Sequence, residues 1–91
     1  MSRSARAKPR DLAPAWPDGP AETPIAEVAR RFALNLREAI GDDSVRTVAY
    51  VAGLNHVTLI RIMDGTVWPD LETIAKIEFG FAKDLWPGRT K

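Results

Sequence analysis

His56 is the single histidine in this ninety-one-residue chain, and no cysteine is present. The lack of cysteine removes disulfides, thiolate zinc ligation and thiol nucleophiles together, and it suits a reducing compartment. A single histidine cannot build a histidine metal cluster, and His56 has no acidic neighbour close in sequence to orient it. No glycine-rich phosphate loop appears either. The expectation is therefore a chain without catalytic residues, metal or cofactor. What remains is binding chemistry. Arg3, Arg6, Lys8 and Arg10 fall within ten residues that contain no acid, a cluster suited to phosphate.

The elements that position such groups are constrained by size. The chain is 45% hydrophobic and 27% charged with net charge +1, ordinary globular material whose bulk electrostatics name no partner. No apolar run approaches the roughly 20 residues of a membrane span, and the first sixteen residues are too polar and Pro-broken for a signal peptide, so a soluble cytoplasmic protein is expected. Five of the seven prolines lie in the first 24 residues, which predicts an extended or flexible arm over 1–24, basic and then acidic, that only Leu12 and Trp16 could dock. The domain is then 25–91.

Within it, Ile25, Val28, Ala29, Phe32, Ala33, Leu36, Ala39 and Ile40 recur at steps of three and four, which predicts a helix capped by Thr23 and ended by Gly41. Glu27, Arg30, Arg31, Arg37 and Glu38 on its other side read as a solvated face. The next segment is rich in residues that favour strands, and a hairpin through Gly53 is its rival. A strand over 57–63 would place Arg61 in an apolar row. Helical spacing instead groups Leu59, Ile62 and Met63 and leaves Asn55, His56, Ile60 and Arg61 facing away, so two short helices are predicted, beginning near Val45 and near Asn55. Pro69 and Asp70 open a fourth, carrying Leu71, Ile74, Ala75, Ile77 and Glu78. The predicted fold is an all-α bundle of four to five helices.

The run from Ser44 to Gly65, SVRTVAYVAGLNHVTLIRIMDG, resembles the helix-turn-helix of Cro and phage-repressor-like (XRE-type) transcription regulators, whose fold is lambda-repressor-like. Ala49 is small where two helices would cross, Gly53 can take a left-handed turn four residues later, and Leu54, Leu59 and Ile62 hold the second helix on the first. The following TVWPDLETIAKIEFGFAKDLWP is similar to the fourth-helix segment of a subgroup common in actinobacteria and their phages. Three departures stand out: Val45 occupies a position where the family usually has Gln, Met63 replaces a frequent acidic residue, and Gly80-Phe81-Ala82 stands where Ala-Leu-Gly is commoner.

The resemblance implies a sequence-specific, non-enzymatic regulator of transcription, in the first place a repressor, that binds double-stranded DNA with helix 55–64 in the major groove. Asn55, His56, Val57, Ile60 and Arg61 would then face base edges: Arg61 can offer a fork to guanine, Asn55 can serve adenine or phosphate, and Val57 or Ile60 can meet a thymine methyl. Ser44, Arg46, Thr47 and Thr58 are the phosphate candidates of the motif, with Arg3, Arg6, Lys8 and Arg10 adding contacts from the arm. Many relatives bind palindromes as homodimers, and Phe79, Phe81, Leu85 and Trp86 are the apolar residues available for core or interface. A second reading makes the chain an antitoxin or adaptor whose arm folds on a protein partner through Leu12 and Trp16.

Overall fold

Thr23 opens the first long helix as the spacing predicts: its hydroxyl accepts the Ala26 N–H, Pro24 fills the first turn, and α1 runs Pro24–Ile40 until Gly41, at φ 64°, lets the chain leave. In the computed structural model, which describes residues 7–89, three further helices follow: α2 (Val45–Ala52), α3 (His56–Met63) and α4 (Leu71–Phe81). No strand occurs among the described residues, and no helix is long and apolar enough to cross a membrane.

The strand-prone residues of α2 and α3 are helical because helical spacing buries the right ones. Ala49, Leu59 and Ile62 join Phe32, Leu36 and Ile40 of α1, Ile74 and Ile77 of α4, and Leu85 in one core, a gain that outweighs weak local preferences. Each start has its side-chain cap: Ser44 accepts the Thr47 N–H, Asn55 those of Val57 and Thr58, and Asp70 that of Thr73. The Thr73 N–H and hydroxyl also hold the Asp70 carboxyl below its usual range. The predicted stripes overreach at their first residues, since Ile25 and Leu71 are exposed at the starts of α1 and α4.

After α4 the chain doubles back. Both N–H groups of Leu85 and Trp86 donate to one Glu78 carboxylate oxygen, and the Asn35 amide donates to the Leu85 carbonyl. Leu85 thereby enters the core, and the Trp86 ring meets Phe32 edge-on with centroids 5.6 Å apart. Glu78, which the spacing places on the apolar stripe, works as an anchor for this tail.

The larger departure is in the first 24 residues. Residues 7–23 do not form an extended arm; they wind through a 3-10 turn (Pro9–Leu12) and successive tight turns that pack on α1. Proline is compatible with this because turns leave many N–H groups unused, and Pro9 and Ala13 are buried. Of the α1 face expected to be solvated, Arg31, Arg37 and Glu38 are exposed, whereas two residues receive the segment: Arg30 donates to the Pro17 carbonyl and Glu27 accepts the Ala21 N–H. Arg3 and Arg6 lie outside the described residues.

Candidate nucleic-acid interface

The α2–α3 pair is joined by Gly53, Leu54 and Asn55, with Gly53 in the left-handed conformation at φ 73°. Its N–H closes α2, the Leu54 N–H returns to the Ala49 carbonyl, and Leu54 packs on the core, so the two helices are fixed relative to each other. With Leu59 and Ile62 buried, periodicity turns Val57, Ile60 and Arg61 outward. Val57 is 41% and Ile60 38% exposed, an apolar pair on the outside of a short helix.

The candidate residues divide by what the fold asks of them. Val57, Ile60 and Arg61 share the exposed side of α3, with Asn55 at its start; His56 is half-buried. Asn55 spends Oδ1 on the cap, at 2.8 Å from the Val57 nitrogen, which leaves its amide NH2 as the group able to reach outward. Thr58 is half-buried on the first turn. Ser44, Arg46 and Thr47 are exposed together at the start of α2, where the Ser44 cap takes the Thr47 N–H and those of Val45 and Arg46 remain for an outside acceptor. Val45 itself packs against the core.

The segment that carries Lys8 and Arg10 is tied to the other end of α3. The Arg10 N–H donates to the Gly65 carbonyl at 3.0 Å, and the Trp16 indole N–H donates to the Met63 carbonyl at 2.8 Å. Trp68, in the α3–α4 loop, donates its indole N–H to the Ala7 carbonyl at 2.7 Å. Lys8 and Arg10 are exposed beside this junction. Sequence reasoning named Trp16 as a docking residue but missed its dock, as well as the roles of Glu27 and Arg30. A tryptophan stranded among prolines was the available signal.

The arrangement offers a guanidinium, an amide and two branched apolar side chains on one exposed helical surface. Arg61 and the Asn55 amide can donate hydrogen bonds there, and Val57 and Ile60 can make apolar contacts. No protein-family model, curated protein or solved structure matches the chain.

Proposed function

We propose that the chain is a non-enzymatic, sequence-specific double-stranded DNA-binding protein, a transcriptional repressor of the helix-turn-helix type acting on the nucleoid in the cytoplasm. α3 enters the major groove, with Arg61 on a guanine edge, the Asn55 amide on adenine or phosphate, and Val57 and Ile60 on thymine methyls. His56 borders the same groove. Ser44, Arg46, Thr47 and Thr58 contact phosphates, and the basic N-terminal residues add a sequence-independent term.

The observation that carries this reading is the exposure of Val57 and Ile60 beside Arg61 on a helix whose opposite side is fully committed to the core. An apolar pair beside a guanidinium and an amide on one helical surface suits base edges, which carry both methyl groups and hydrogen-bond acceptors. Selection of duplexes from a random pool tests the reading directly. An enriched sequence is expected, and Arg61→Ala should relax one base position at a cost of about 1 to 3 kcal/mol. Equal binding to every duplex would overturn base readout.

A protein-binding reading rests on a different surface from the one the sequence suggests. Trp16 is engaged within the molecule, whereas Tyr50, Val51, Leu71 and Phe79 are each at least 80% exposed. A stoichiometric partner that co-purifies with the tagged protein and is lost on Phe79→Ser would favour that role.

A further inference from the structure

We propose that Trp16 is a positioning residue for α3, and that residues 7–23 form a strap that sets the pose from which α3 presents Asn55 to Arg61. The value of that pose rests on the DNA reading above; the contacts that create it do not.

An eight-residue helix has little rigidity of its own, and half of its carbonyls lack partners within it. In α3 the carbonyls of Ile60, Arg61 and Ile62 are met by the N–H groups of Asp64, Thr66 and Gly65. The last, that of Met63, is met by the Trp16 indole, forty-seven residues earlier in the chain. Immediately beyond, the Arg10 N–H takes the Gly65 carbonyl. Three of the four end carbonyls of α3 are thus closed by the residues that follow it, and the fourth, with the Gly65 carbonyl beyond it, is closed by the strap.

Gly65 shows how closely the strap sits. A Cβ at this position would lie 2.6 Å from Trp16 Cε2 and 2.9 Å from Arg10 Cβ. The far end of the strap is locked to α1, the longest helix, by the Arg30 bond to Pro17 and the Glu27 bond to Ala21. α3 is therefore tied through Trp16 to α1, which it also meets directly in the core through Leu59 and Ile62. Trp16 bonds a backbone carbonyl at the end of α3, so it acts on a ligand of the outer face only through the placement of the helix. Base readout is sensitive to that placement, because bidentate contacts tolerate little misorientation.

The test compares full-length variants at a temperature where circular dichroism shows each to be folded. Trp16→Phe keeps a ring over Gly65 and removes the N–H donor. Gly65→Ala pushes a methyl into the indole. Gly88→Ala is its control, since Gly88 shares the φ of 72° but has nothing within 4 Å of an added Cβ. Two quantities are read: hydrogen exchange at the amides of Asp64, Gly65 and Thr66, and the ratio of affinities for a duplex that the wild-type protein selects from a random pool and a shuffled duplex of the same composition.

Trp16→Phe and Gly65→Ala should both accelerate exchange and lower the ratio by about tenfold, the discrimination of one good base contact, while Gly88→Ala changes neither. Should Trp16→Phe fail to fold, Gly65→Ala carries the comparison. Faster exchange with an unchanged ratio would overturn the inference and leave the DNA reading standing, and unchanged exchange would overturn it as well. Failure of the wild-type protein to select any duplex would overturn the DNA reading, and this inference with it.

Discussion

Arg30 spreads its guanidinium across the carboxylate of Glu27, one turn earlier on α1, with Nε 2.9 Å from Oε1 and a terminal nitrogen 2.6 Å from Oε2. The pair has outside work as well: Glu27 also accepts from Ala21 N–H and from Arg31, and Arg30 reaches the Pro17 carbonyl. Its two side chains are only 14% and 12% exposed. A forked, mostly buried pair of this kind contributes more than the exposed Lys76–Glu72 pair on α4, which water screens.

The Arg30 guanidinium, aided by the Ala21 N–H and Arg31, holds the Glu27 carboxyl far below the usual carboxylate range against the opposing effect of burial. A depressed folded-state pKa gives stability that is complete above the unfolded value, about 4.3, and is lost as pH falls toward the folded one. Glu27→Gln should cost about 1 to 3 kcal/mol near neutral pH, and the gap to the wild-type protein should narrow steadily below about pH 4. Denaturant midpoints across an acid series measure this. A gap that stays constant with pH would mean that packing, not charge, accounts for the loss.

This pair also marks where the sequence stops being legible. Helices could be read because each depends on residues three or four apart: Thr23 and Asp70 announce the starts of α1 and α4, and Leu59 and Ile62 fix which side of α3 is buried. The strap could not, since its fastenings join Trp16 to Met63 and Arg10 to Gly65 across most of the chain. Local composition gave the wrong expectation there, because prolines that forbid a helix are equally at home in packed turns. For the same reason Arg30 reads as a surface charge until the segment it holds is in place. At the candidate interface, the outward direction of Ile60 and Arg61 follows from spacing, whereas the use of Asn55 as a cap depends on where α3 begins.

The end of α4 holds a mismatch that can be improved. Ala82 adopts φ 55°, in the left-handed region where a Cβ is strained. Ala82→Gly should raise stability by about 0.5 to 1 kcal/mol. Gly80 behaves oppositely. A Cβ there would lie 2.9 Å from the Ala52 carbonyl oxygen and 3.2 Å from a Leu54 methyl, so this glycine permits the close contact of α4 with α2. Gly80→Ala should destabilise by about 1 kcal/mol or more, overpacking exceeding the gain in helix propensity. Thermal melts of the two variants should move in opposite directions, and a stabilised Gly80→Ala would show that α2 and α4 can separate freely.

Val45 is half-buried against the core at the first position of α2, so Val45→Gln puts an amide where an apolar side chain packs. The exchange should lower stability by about 1 kcal/mol, and any gain in DNA affinity should be equal for all duplexes, because an amide there reaches phosphate and not bases. Paired melting and binding titrations separate the two effects. Unchanged stability would place the side chain in solvent.

The strap alters what the basic residues at the N-terminus can do, because Lys8 and Arg10 are carried on packed turns while Arg3 and Arg6 precede them. Deleting residues 1–6 removes two cations and leaves the Ala7 carbonyl for Trp68 and the Arg10 N–H for Gly65. If Arg3 and Arg6 neutralise phosphates, the slope of log affinity against log salt should flatten by up to about 1.8, or about 0.9 for each contact. The lost affinity should grow as salt is lowered, since exposed charges are screened within about 10 Å at 0.1 M. It should be the same for selected and shuffled duplexes, because α3 and its strap remain intact. Lys8→Gln and Arg10→Gln in the truncated chain should flatten the slope again by a comparable amount without altering exchange at Asp64 to Thr66, since the strap bonds of those two residues are made by backbone groups. Parallel salt lines for the full and truncated chains would show that Arg3 and Arg6 touch no phosphate. A loss confined to the selected duplex would instead place them in a groove, reading bases beside those read by α3.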